Sequence, residues 1–288
     1  MIKDTKQLMK KYEIRAIKSL GQNFLINQQI IRDIIIAGDV NEADGIIEIG
    51  PGMGAMTVLL GSLAAEVIAV EIDRQMILPL EEVLVGMPNV YVINEDILKV
   101  DIKGIIDKLK QNPKVKRIKV IANLPYYITT PVIMRLLELE NHGIDMMEFM
   151  VQKEVAERMC ADPGGKDYGA LTLAVNYHST PKIVMNVGAE NFIPQPSVDS
   201  SVIRLDILSS PPAEILNKTI FFKTVKAAFS QRRKTLLNAL GSSGVILGGK
   251  TELSKILSDL NINEKIRGEA LSLSEFAKIS NIISSTIN

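Results

Sequence analysis

The sequence has no tryptophan and one cysteine, Cys160, among its 288 residues. A lone thiol excludes an intramolecular disulfide and fits a reducing compartment, so a cytoplasmic protein is expected. The two histidines, His142 and His178, lie far apart. With one cysteine they offer no zinc-ligand spacing, and no metal site is expected. No run of 18 apolar residues free of charge occurs, so no membrane-spanning helix is expected. Residues 1–19 lack the apolar segment and cleavage site of a secretory leader. Aromatic residues make up only 5% of the chain, which makes any Phe or Tyr in a polar setting a candidate for function.

Apolar residues form 47% of the sequence, enough for a sizeable core and incompatible with disorder. Thirty-three basic and 33 acidic side chains cancel, but they are unevenly spread. Residues 38–101 hold 12 acids and 2 bases. Residues 1–18 hold 6 bases and 2 acids, and residues 214–238 hold 6 bases and 1 acid. Four bases and no acid fall within 113–119. Separate basic clusters on a neutral chain point to an anionic partner, and nucleic acid fits best.

The patterning alternates. Helices are predicted over 27–38, 54–63, 74–85, 102–110 and 130–140, and strands over 45–49, 66–70, 89–93, 117–121 and 146–151. Short Val/Ile runs separated by helices of this length make βαβ units around a buried parallel sheet. Strands near 182–187 and 200–208 give the sheet a mixed edge. Two prolines in Ser209-Ser-Pro-Pro stop regular structure. The expectation is an α/β domain over 1–210 and a small all-α domain over 211–288.

Three features fall at the ends of successive strands, where open α/β sheets bind ligands. Glu48-Ile-Gly-Pro-Gly-Met-Gly places Gly50, Gly52 and Gly54 in a strand-to-helix turn. Its spacing is neither that of dinucleotide binders nor that of a Walker loop. Glu71, 21 residues after Gly50, can accept hydrogen bonds from both ribose hydroxyls. Asp96, in Asn-Glu-Asp-Ile, sits where an adenine amino group would meet it. Together they imply an adenosine-containing cofactor without a pyrophosphate.

After the fourth strand comes Asn123-Leu124-Pro125-Tyr126, the most specific signal. The exocyclic amine of a nucleobase is a poor nucleophile because its lone pair is delocalised into the ring. A catalyst must supply acceptors for its hydrogens, so that nitrogen can move toward sp³ as it attacks. The Asn123 side-chain oxygen and the Leu124 carbonyl would be those acceptors, with Pro125 stiffening the turn and Tyr126 stacking on the base. A second loop, Asn191-Phe192-Ile-Pro-Gln-Pro, would display Phe192 over the other face of the base. Gly21-Gln-Asn-Phe-Leu25 precedes the first strand–helix alternation.

These segments, in this order, resemble the ribosomal RNA adenine N6-dimethyltransferase family of the KsgA type, and the resemblance covers nearly the whole chain. Met56 stands where the family usually has Leu. The resemblance implies a Rossmann-like class I S-adenosyl-L-methionine-dependent methyltransferase domain and a small helical C-terminal domain. It implies S-adenosyl-L-methionine as cofactor, released as S-adenosyl-L-homocysteine, with no metal. Asn23, Leu25, Gly50, Gly52, Gly54, Glu71, Ile72, Asp96, Ile97 and Asn123 would hold it. Asn123, Leu124, Pro125, Tyr126 and Phe192 would carry catalysis.

The substrate implied is a pair of adjacent adenosines in a hairpin near the 3′ end of 16S ribosomal RNA, within an immature 30S subunit. Lys18, Lys223, Lys226, Arg232, Arg233 and Lys234 would contact RNA, helped by Lys10, Lys11 and Arg15 from an N-terminal arm expected to be disordered without RNA. A monomer is expected.

The same motifs leave three alternatives open. One is the related class that modifies 23S ribosomal RNA and confers macrolide resistance. Another is an assembly factor that has lost catalysis. The third is a small-molecule or DNA methyltransferase. Gly50-Pro51-Gly52 and Asn123-Leu124 favour the small-subunit enzyme over the resistance class.

Overall fold

The computed structural model describes residues 5–139, 143–231 and 233–287. Arg232, and the side chain of Lys18, lie outside what is described. The chain divides into two compact units. One holds Met1–Ala156 and Pro181–Ile207, and the other Glu157–Thr180 and Leu208–Asn288.

The first unit opens with α1 (Thr5–Lys11), the two-residue strand β1 (Phe24–Leu25) and α2 (Gln28–Ala37). Asn27 starts α2 by accepting hydrogen bonds from the Gln29 and Ile30 amides on its side-chain oxygen. Ile31, Ile34 and Ile35 form its buried face. The alternation then runs β2 (Asp44–Ile49), α3 (Ala55–Leu63), β3 (Glu66–Glu71), α4 (Ile77–Val83), β4 (Val90–Asn94), α5 (Ile102–Gln111), β5 (Arg117–Asn123), α6 (Thr129–Leu137) and β6 (Met146–Gln152). Asp101 caps α5 through the Gly104 amide, and Ile102, Ile105, Ile106 and Leu109 bury one face of it. Every residue of β2 and β3 is buried, as strands covered by helices on both faces must be.

Next in chain order come α7 (Lys153–Met159), α8 (Ala170–His178), β7 (Ser179–Val187), the two-residue β8 (Phe192–Ile193) and β9 (Ser200–Ile207). The seven-stranded sheet has the order β4-β3-β2-β5-β6-β9-β7. The pairs β3–β4, β2–β3, β2–β5 and β5–β6 are parallel, and β9 runs antiparallel to β6. The strand order reverses between β2 and β5, so a crevice opens outside their C-terminal ends. A separate antiparallel ladder joins β1 to β8, with Leu25 opposite Phe192. One inward charge is fully compensated: the buried Lys119 ammonium on β5 donates to the Asp44 carboxylate at 2.8 Å and to the Gly38 and Asp39 carbonyls.

Two expectations change here. The N-terminal arm is not disordered over the described residues. Leu8 of α1 and Ile14 are buried with Met53, Met76 and Leu80, and Lys11 and Tyr12 both bond the Glu82 carboxylate of α4. Apolar residues interleaved with the charges account for this, since they give the arm a face to bury. The second change is the division of the chain. The break falls after Ile207, close to the expected 210, but Glu157–Thr180 goes with the helical unit.

That helical unit contains α9 (Lys218–Phe229), α10 (Leu236–Gly241), α11 (Gly249–Asp259) and α12 (Leu273–Ile287) beside α8. Its core brings Tyr168, Leu173 and Tyr177 together with Phe221, Leu253 and Phe276. The Tyr168 hydroxyl donates to the Leu271 carbonyl at 2.8 Å, so the loop before α8 is tied to the segment before α12.

Candidate active site

A cavity of ≈ 270 Å³ lies at the C-terminal ends of β2, β3 and β5, closed on one side by residues 20–25. Gly50 and Gly52 line it in left-handed conformations, φ 68° and 57°, that a side chain would strain. Gly54 was expected beside them, but it is absent from the lining. Its φ is 83°, it starts α3, and a Cβ there would come within 2.6 Å of Val83 Cγ2. Gly54 therefore serves the packing of α3 on α4, the helix-packing use of a third glycine in such turns.

Glu71 ends β3 and is buried at the cavity wall. Its Oε2 accepts the Gly52 amide at 3.1 Å and its Oε1 accepts the Asp73 amide at 2.7 Å. Burial pushes its carboxyl up to about 7, against the pull of these amides. Each oxygen keeps a lone pair for a further donor. The turn is braced from the first unit's N-terminal part, since Gln22 Nε2 donates to Asp73 Oδ2 at 2.7 Å.

Glu48 was not among the expected site residues. It is fully buried on β2 and also lines the cavity. Among the described residues neither of its oxygens has a hydrogen bond of normal geometry, and the nearby Thr57 hydroxyl only partly offsets burial, which pushes the carboxyl up to about 8. The signal was present, as an acid two residues before Gly50. It was passed over because a buried strand residue reads as core.

Ile72, Asp96 and Ile97 complete the β3 and β4 side of the cavity. Asp96 Oδ1 is taken by the Leu98 amide at 2.9 Å, which fixes the carboxylate in its turn. Across from them stand Asn123, Leu124, Pro125 and Tyr126, all in the lining. Asn123 Nδ2 donates to the Asn23 carbonyl at 3.1 Å. With its amide nitrogen committed, the side chain turns its acceptor oxygen elsewhere, and no hydrogen bond to that oxygen occurs among the described residues. The Tyr126 hydroxyl pairs with Ser200 Oγ at 2.8 Å, which holds its ring.

Phe192 is corrected. It is 3% exposed and packs with Leu25, Ile31, Met150 and Val202. It does not line the cavity. The β1–β8 ladder draws it inward, because strand pairing opposite Leu25 puts both side chains into the same apolar cluster. An aromatic that the sequence reading missed does stand at the cavity: Tyr127, 55% exposed.

Of the basic residues, Lys223, Lys226, Arg233 and Lys234 are exposed in the helical unit. Lys226 and Lys223 lie on the face of α9 opposite Phe221, Val225 and Ala228. Lys11 is not an unpaired cation, since Glu82 holds it.

Known proteins match this chain over almost its full length. Residues 14–284 match the model of the family described as "Ribosomal RNA adenine dimethylase". A protein of Clostridioides difficile named "Ribosomal RNA small subunit methyltransferase A" is 49% identical over 99% of this chain and 96% of its own length. A protein of Alkaliphilus oremlandii with the same name is 50% identical over 97% of this chain and 96% of its own. Among solved structures, a dimethyladenosine transferase from Plasmodium falciparum superposes with a TM-score of 0.74 at 29% identity, covering 88% of this chain and 94% of that one. The chain belongs to the ribosomal RNA adenine dimethylase family.

Proposed function

We propose that the enzyme dimethylates N6 of two adjacent adenosines in a hairpin near the 3′ end of 16S ribosomal RNA, in the immature 30S subunit. It acts as a monomer in the cytoplasm, with S-adenosyl-L-methionine as methyl donor and no metal. The observation that carries the reading is the Asn123 side chain, anchored through its nitrogen to the Asn23 carbonyl in the wall of the cavity.

The residues present fit the cofactor. Gly50 and Gly52 leave room for close approach, Glu71 keeps acceptor capacity for ribose hydroxyls, and Ile97 offers an apolar face to adenine beside Asp96. Glu48, buried without a normal hydrogen bond, suits a cationic donor such as the α-amino group of methionine. When bound, S-adenosyl-L-methionine supplies an electrophilic methyl on sulfonium and leaves as the thioether S-adenosyl-L-homocysteine.

The chain's own part is acceptance and placement. Asn123 Oδ1 and the Leu124 carbonyl would accept the N6 hydrogens of the target adenine, two in the first round and one in the second, and so free the nitrogen lone pair for the methyl that the bound cofactor would supply. One N6 proton leaves to solvent at each transfer. Tyr126 stacks on the target base, its ring held by Ser200. Pro125 keeps the turn from relaxing, so the acceptors are set before the base arrives. Lys223, Lys226, Arg233 and Lys234 contribute phosphate contacts.

The test is methyl transfer from labelled S-adenosyl-L-methionine to small subunits lacking dimethyladenosine, with large subunits alongside. Dimethyladenosine confined to small-subunit RNA is expected. Transfer to large-subunit RNA would replace this reading with the resistance-type activity. Binding to small subunits without any transfer would leave an assembly factor.

A further inference from the structure

We propose that the Tyr127 ring is a stacking platform for the unpaired nucleobase beside the target adenine. The inference rests on the reading of the cavity as the methyl-transfer site for ribosomal RNA. Tyr127 follows Tyr126 in the short 3-10 turn Tyr126–Ile128 and is 55% exposed, yet it lines the cavity. Among the described residues the other large exposed aromatic is Tyr91, which is capped by the Lys108 ammonium 3.8 Å from its ring centre. Tyr127 has no ring partner, no cation partner and no hydroxyl hydrogen bond among the described residues. An apolar ring left in water at the mouth of a binding cavity is available to a ligand.

Its position is built rather than incidental. Gly21 packs against the ring in a left-handed conformation, and a Cβ there would lie 3.0 Å from Tyr127 Cδ1. The bare glycine lets the ring sit against residues 20–25, and Asn123 anchors the same segment through the Asn23 carbonyl. Tyr126 is committed inward through Ser200, and Phe192 is buried in the core. The second aromatic surface that a splayed RNA strand needs falls to Tyr127. Every base has a π-face, so a platform of this kind accepts the neighbour of the target whatever its edge pattern, and in a two-adenosine substrate that neighbour is the adenosine awaiting its turn.

The experiment is steady-state kinetics on small subunits lacking dimethyladenosine, with Tyr127→Ala, Tyr127→Phe and Tyr127→Trp. S-adenosyl-L-homocysteine binding is measured beside it by calorimetry. Loss of one base–aromatic stack is expected to raise the KM for subunits about tenfold in Tyr127→Ala. Tyr127→Phe and Tyr127→Trp keep an aromatic face and are expected within about twofold of the unmodified enzyme. S-adenosyl-L-homocysteine affinity is expected to stay unchanged in all three. An unchanged KM in Tyr127→Ala overturns the proposal while leaving the methyl-transfer reading intact. So does Tyr127→Phe as impaired as Tyr127→Ala, or an equal loss of S-adenosyl-L-homocysteine affinity, which would make the ring part of the cofactor wall. An unmodified enzyme that transfers methyl to no ribosomal RNA overturns both.

Discussion

Asn123 and Asn23 stand 100 positions apart, and the amide nitrogen of the first donates to the backbone carbonyl of the second at 3.1 Å. This bond commits the amide nitrogen and leaves the oxygen as the end that the proposed mechanism turns to the base. Asn123→Ala removes both the proposed acceptor and the bond to the Asn23 carbonyl. The expected result is a fall in kcat on the order of 100-fold or more, with subunit binding retained. Single-turnover methyl transfer with saturating enzyme, beside subunit co-sedimentation, measures both.

With Glu71 as the proposed ribose ligand, cofactor binding should depend on pH. Burial pushes its carboxyl up to about 7, and only the ionised form would accept both ribose hydroxyls. Affinity for S-adenosyl-L-homocysteine should therefore rise with pH and level off above about 8. Below the pKa it should weaken about tenfold per pH unit. Calorimetry between pH 6 and 8.5 reads the curve, and Glu71→Gln should bind weakly with a flat profile. A flat profile in the unmodified protein would contradict the assignment.

Glu148 lies fully buried on β6, and neither oxygen has a hydrogen-bond partner among the described residues. Burial pushes its carboxyl up to about 8, although Arg204 and Lys119 pull the other way. A raised folded-state pKa favours the protonated form. Its contribution is whole below the ordinary carboxylate pKa and is lost as pH climbs through about 8. Glu148→Gln should show less loss of stability between pH 5 and 9, by about 1–3 kcal/mol, in urea titrations at each pH.

Gly54→Ala should destabilise the first unit by about 2 kcal/mol, since it combines a left-handed φ with a clash against Val83. Adding Val83→Ala should recover the clash part but not the backbone part. Melting temperatures of the two variants and their combination separate these contributions.

The alternation of β2 to β6 with their helices was legible because each strand is a short apolar run and each helix carries its own buried stripe. The two acids of the cavity wall were legible for a related reason. A βαβ rhythm fixes where strand ends fall, and Glu71 and Asp96 occupy those ends. Phe192 was misread because its environment depends on a ladder with Leu25, 167 positions earlier, and two-residue strands have no periodicity to detect. Gly54 looked like part of the cradle because glycine spacing cannot distinguish a ligand from the Val83 methyl. The order of the arm was not legible from its charge and position, since its buried Leu8 and Ile14 sit among six basic residues. Tyr127 was hidden behind its neighbour, as one aromatic had already been given the base.

The helical unit is written in two instalments, Glu157–Thr180 and Leu208–Asn288, with sheet residues between them. On a ribosome making this chain, Tyr168, Leu173 and Tyr177 emerge long before Phe221 and Phe276, the rings they must pack against. The first instalment waits while the final strand of the sheet, β9, is synthesised. Cutting the gene at the proline linker would yield a C-terminal fragment missing part of its own interior. Such a fragment should express poorly, whereas one joining the two segments through a short flexible bridge should fold.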